Sequence, residues 1–110
     1  MAKCFYVVRA TVADPARRAA FDAWYHNEHL PQAMAAFGAE KGWRFWSETD
    51  PSAHQATYQF ADRAAVDRVV NSEAMKRLIV DFDRDWPGVP RSREIFTLVD
   101  EIDGAAGNRG

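Results

Sequence analysis

Apolar residues in this chain repeat with two periods, and the order in which those periods alternate limits the fold more than any single residue does. Residues 3–12, 42–48, 54–60 and 91–100 are β-branched, aromatic or alternating, which marks strands. Asp14 and Pro15 open a helix, Asp as the N-cap and Pro at the first helical position, which runs to about residue 28. Pro31 has no amide to reach back to residue 27, so a kink is expected there. A short helical piece over 31–37 follows, closed by Gly38. Asp62 caps another helix near 63–71, and Ser72 with Glu73 marks a restart that runs to about Trp86. The inward stripe of that last helix is Met75, Leu78, Ile79, Phe82 and Trp86. The order is β-α-β-β-α-β, an α+β chain of the ferredoxin-like split βαβ kind, with helices on one face of an antiparallel four-stranded sheet.

Such a sheet should carry a polar second face. Here bulky residues occupy both: Tyr6 and Val8 against Phe5 and Val7, Phe45 against Trp46, Ile95 against Phe96. A second copy of the chain is the simplest cover, so a homodimer packed through the sheet is expected. The alternative is a monomer with scattered exposed apolar residues. The 110 residues suit one domain, and an aromatic share of 13% with four Trp is high for that size. The surplus apolar surface points to a ligand pocket or a subunit interface.

Composition narrows the function classes. A net charge of −2 with scattered basic residues offers no footprint for nucleic acid. The lone Cys4 excludes an internal disulfide and any cysteine-based zinc site, and fits a cytoplasmic setting. Lys3 precedes a short apolar run ending at Arg9, read as a strand rather than a leader. No stretch has the ~20 apolar residues of a membrane span. Residues 103–110 lack a large apolar side chain and read as a flexible tail.

The first helix carries the chemistry. Phe21, Trp24, Tyr25, Glu28 and His29 follow the i, i+3, i+4, i+7, i+8 rule and share one face. A stripe that begins aromatic and ends in a carboxylate and an imidazole either satisfies itself or lines a pocket. Leaving either group buried without a partner costs on the order of a few kcal/mol. Tyr25 and His29 stand one turn apart, so their pairing is better supported by spacing than a Glu28–His29 dyad. Histidine takes or gives a proton near neutrality. Tyr25 with His29 suits proton transfer alpha to a carbonyl. Trp24, Trp43 and Tyr58 supply flat apolar walls, Phe82 can fill or line the same space, and His54 shares a strand face with Tyr58. A structural reading stays open: His29 at a helix break donating to a carbonyl, Glu28 bonded to Arg44 or Arg93, and Tyr25 in the core. His26, Glu28 and His29 do not have metal-ligand spacing on a helix, and no metal site is expected. No phosphate loop and no Ser or Cys nucleophile motif is present.

The pattern Phe21, Trp24, Tyr25, Glu28, His29, Leu30, Pro31 on the first helix of a βαββαβ chain resembles the EthD-like branch of the dimeric α+β barrel superfamily. The likeness covers about residues 3–102, with residues 1–102 as the barrel domain, and the Tyr-x-x-x-His-x-Pro core is its most specific part. The resemblance implies a pocket between helices and sheet in each subunit, with a histidine that moves protons. Relatives in the superfamily include isomerases, polyketide cyclases, decarboxylases, cofactor-free monooxygenases and haem-degrading enzymes. The expectation is a small cofactor-independent enzyme acting on a cyclic or aromatic carbonyl compound, with His29 as acid/base, Tyr25 as hydrogen-bond donor and Glu28 beside them. Two alternatives stand: a non-catalytic protein binding a small hydrophobic ligand, and a haem-handling protein using His29 or His54 as axial ligand.

Overall fold

The computed structural model describes residues 2–104. Its four strands are β1 (Cys4–Thr11), β2 (Lys41–Trp46), β3 (Ala53–Phe60) and β4 (Arg91–Thr97). They form one antiparallel sheet in the order β2-β3-β1-β4. β1 and β4 are shorter at their C-terminal ends than the sequence suggests, although the Leu98 amide still donates to the Lys3 carbonyl at 2.9 Å. The expected ferredoxin-like arrangement is present.

Register decides which side chains meet. Tyr6 lies between Tyr58 and Ile95, Val8 between Ala56 and Arg93, and Ala10 between His54 and Arg91. These positions face the helices. Phe5, Val7, Thr57 and Phe96 alternate with them and face away. His54, Ala56, Tyr58 and Phe60 are all buried, as the alternation in β3 predicts.

The helical layer contains α1 (Arg18–Trp24), α2 (Leu30–Phe37), α3 (Arg63–Val70) and α4 (Glu73–Asp85). Asp14 accepts from the Ala16 amide and opens a 3-10 turn, Pro15–Arg17, ahead of α1. Asp62 accepts from the Ala65 amide and Ser72 from the Met75 amide, so both later helices have the caps read from the sequence. Gly38 ends α2 with φ 62°, the left-handed conformation that glycine takes without penalty.

Between α1 and α2 the sequence predicts a kink at Pro31. The structure instead widens the helix one turn earlier, and Tyr25–His29 form a π segment. The Leu30 amide bonds to the Tyr25 carbonyl, five residues back. Pro31 then sits in the first turn of α2, where no amide is needed. The missing bond coincides with a wider turn just before Pro31.

The core is largely aromatic. Phe21 touches Trp24, Tyr25, Trp46, His54, Phe82 and Trp86, with ring centroids between 5.1 and 6.0 Å. Met75, Leu78 and Phe82 are buried as expected of the last helix, while Ile79 and Trp86 are only partly so. Arg44 on β2 reaches α1, where its guanidinium and the Trp46 indole both donate to the Asp22 carboxylate. That anchor holds the β2 edge against the helix bearing the π segment. Asp103 and Gly104 are exposed and outside regular structure, and the rest of the expected tail lies outside the described residues.

Candidate functional site

The π segment places Tyr25 and His29 over the middle of the sheet. A wider turn rotates each residue through a smaller angle than the ~100° of an α-helix. Four steps from Tyr25 therefore bring His29 back almost above it, while three steps leave Glu28 short of the buried face. Tyr25 and His29 meet edge to face with centroids 4.8 Å apart, and both are buried. They line a cavity of about 30 Å³ between helices and sheet. Its sheet wall is Tyr6, Val8, Tyr58, Arg91 and Arg93, and its helical wall includes Ala33, Phe37, Met75, Leu78, Ile79 and Phe82. A volume of that size holds one or two waters, far below the roughly 150 Å³ that admits a benzene ring. The cavity shares Tyr6, Met75, Ile79 and Arg93 with a wider groove of about 530 Å³ running past Val70 and Ile95.

His29 is held in an uncharged state. Burial first, and the Arg91 guanidinium second, push its pKa down to about 4, against opposing pulls from Asp81 and Asp85. Its buried Nδ1 has no hydrogen-bond partner in the protein. The Trp24 indole stacks on the His29 ring at 4.6 Å and 15°, and donates from Nε1 to Asp85 at 3.1 Å. The His29 ring is therefore fixed by an indole that is itself tied to α4. Burial pushes the Tyr25 hydroxyl up to about 12; the Tyr58 hydroxyl, which hydrogen-bonds to it, and Arg44 oppose that rise. Tyr25 is thus a neutral donor across the whole working range. Tyr6 and Tyr58 are raised for the same reason, so three neutral phenols line the cavity.

The structure brings His29, Tyr25, Tyr58 and Phe82 together in one cavity. Two expected ligand contacts stand behind it: Trp24 backs His29, and His54 backs Tyr25 at 4.5 Å. His54 is enclosed by Phe21, Tyr25 and Trp46, and neither ring nitrogen has a partner. Two expectations are overturned. Glu28 is exposed on the far side of the π turn, and Arg44, one of its suggested partners, pairs with Asp22 instead. Trp43 pairs with Thr57 and packs on Phe5, which puts it on the opposite face of the sheet from the cavity. His26 is exposed, as its angle on the helix predicts. Tyr25 and His29 meet as rings, not through a mutual hydrogen bond.

Tyr6, Arg91 and Arg93 are site residues that the sequence reading missed. Their signal was the spacing Arg91, Arg93, Ile95: two cations on the strand face that also carries a buried-side isoleucine. Arg91 is mostly covered, lies 3.9 Å over the Phe82 ring, and pairs with Asp83. Among the described residues no group of three His, Cys, Asp or Glu is placed to hold a metal ion. No helix among them is long and apolar enough to cross a membrane.

The fold is the ferredoxin-like α+β fold, which similar solved structures share. Among similar solved structures is an EthD family protein from Bacillus halodurans, 15% identical, with a TM-score of 0.66 over 93% of this chain and 100% of its own. The cofactor-independent oxygenase SnoaB from Streptomyces nogalater is 14% identical, with a TM-score of 0.70 over 93% of this chain and 98% of its own. A protein of unknown function from Nitrosomonas europaea is 24% identical, with a TM-score of 0.66 over 96% of this chain and 97% of its own. No family model and no curated protein matches the chain. The EthD-like resemblance of the helix motif is thus met at the level of fold.

Proposed function

We propose that this chain is a small enzyme that moves a proton alpha to the carbonyl of a cyclic or aromatic compound, without a cofactor. The observation that carries the reading is an uncharged His29, buried with an unpartnered Nδ1, in the same cavity as the neutral Tyr25 hydroxyl. His29 takes the α-proton, Tyr25 donates a hydrogen bond to the carbonyl oxygen as the enolate forms, and the proton returns to the same or a conjugated carbon.

The reading is tested with 2-tetralone in deuterium oxide, following α-proton exchange by NMR. The wild-type chain should exchange the α-protons well above the buffer rate, and His29→Ala should lower that on the order of a hundredfold. Equal rates for the two proteins would sink the assignment. The fold-level likeness to a cofactor-independent oxygenase makes oxygen uptake the second readout, since a carbanion formed this way is what dioxygen would meet.

A homodimer through the open sheet face belongs to the same reading. Phe5, Val7, Trp43, Phe45 and Phe96 share that face, and Phe45 and Phe96 are 49% and 42% exposed in the single chain. The buried, unpaired Cys4 suits a reducing, cytoplasmic setting.

A further inference from the structure

Two guanidiniums line a cavity whose remaining walls are apolar or phenolic apart from the His29 ring. Arg91 and Arg93 project from alternate positions of β4 on its helix-facing side, opposite Ala10 and Val8. Arg91 has its counter-ion, Asp83. Arg93 has none: its neighbour Glu94 points to the other face and pairs with Arg9, and no described carboxylate forms an ion pair with Arg93. Its polar partner is the Tyr6 hydroxyl, a neutral group to which the guanidinium donates a hydrogen bond. The two cations also repel each other. Arg93 is exposed and Arg91 half-buried, so the pair presents guanidinium donors from the mouth of the cavity inward, an arrangement that a carboxylate matches. Arg93 also sits where cavity and groove join.

We infer that the site takes an aromatic or cyclic keto acid, its carboxylate between Arg91 and Arg93, its carbonyl in the cavity and its rings in the groove. This rests on the proton-transfer reading for the carbonyl, but the anion subsite stands on its own geometry. The planar fork of arginine matches a carboxylate through two parallel N–H donors. The subsite also bears on the base. Arg91 is the second cause that keeps His29 uncharged, after burial. A carboxylate bound beside Arg91 adds a negative charge near His29 and makes it a stronger base when substrate is present, and a neutral substrate would not.

The test is calorimetric titration of the full chain with 2-naphthoate and with 2-naphthamide, a neutral compound of nearly the same shape. Neither has an exchangeable α-proton, so binding is read without chemistry. The acid should bind the wild-type chain at least tenfold more tightly than the amide. Arg93→Gln should abolish that preference while leaving the amide's affinity within about twofold, and Arg93→Lys should retain part of it. Equal affinities for acid and amide, a preference that survives Arg93→Gln, or no heat from either compound would each overturn the subsite. Failure of the proton-exchange assay with the acid preference intact would remove the catalytic reading alone. The reverse outcome would remove the subsite alone.

Discussion

His29 and His54 lie close together in the core, each separated from water and each uncharged. Both have pKa values pushed down to about 4, by burial first and by an arginine second, Arg91 for one and Arg44 for the other. The unfolded chain would protonate both near pH 6.5. Folded values below unfolded ones mean that the contribution to stability is complete above pH 6.5. It falls as pH drops from 6.5 towards 4, and is lost below that. Each ring accounts for on the order of 3 kcal/mol of this loss. Urea titrations at pH 7 and pH 4 should show the fall, and His54→Phe, which keeps a ring among Phe21, Tyr25 and Trp46, should remove a large part of it. An unchanged fall would mean that His54 is not a titrating group. The same value for His29 predicts an acid limb of kcat/KM near pH 4 rather than near 6.5, with no alkaline limb from Tyr25 below about pH 11. A limb near 6.5 would show that His29 is hydrated in the free enzyme.

At the scale of elements, the packing of α2 on β2 depends on Gly42. A Cβ there would meet the Met34 sulfur at 2.6 Å, closer than any real contact. Because the Met34 side chain is flexible and can swing aside, Gly42→Ala should destabilise the chain only modestly, by about 1 kcal/mol, the low end of overpacking costs. Shortening Met34 to Ala in the same chain should recover part of that loss; two independent, additive costs would contradict the contact. The strands and helices themselves were legible because each has a periodic apolar face and a capping residue. The π turn was not. Pro31 announces that one helical bond is missing, but bending and widening satisfy that omission equally well in sequence terms. Packing of His29 against Trp24 and Tyr25 accompanies the wider turn. The misplacement of Glu28 follows directly, because helical angles were counted through a turn that is not α-helical. Local spacing puts Arg91 and Arg93 on one face of β4, but their meeting with Tyr6 and His29 depends on the order of strands, a long-range fact. Trp43 shows the same limit in reverse, since alternation separates two faces of a strand without saying which one meets the helices.

For the whole molecule, the sheet has one face sealed by helices and another bearing Phe5, Trp43, Phe45 and Phe96. Val99 and Ile102, beyond β4, are 85% and 89% exposed. A dimer through the sheet would cover much of the open face. Light scattering should give twice the chain mass for the wild-type protein, and the double substitution Phe45→Asp, Phe96→Asp should give the single mass. A wild-type monomer would remove the dimer. Because the cavity is on the other side of the sheet, the monomeric variant should keep the preference for naphthoate over naphthamide; loss of that preference would show that the two faces communicate.

The stack of Trp24 on His29 also makes the protein its own optical gauge. A protonated imidazole quenches indole emission far more than a neutral one, and at 4.6 Å with nearly parallel planes the contact is close enough for it. The charge state of His29 can then be followed as a change in brightness as the pH is lowered, with no label attached.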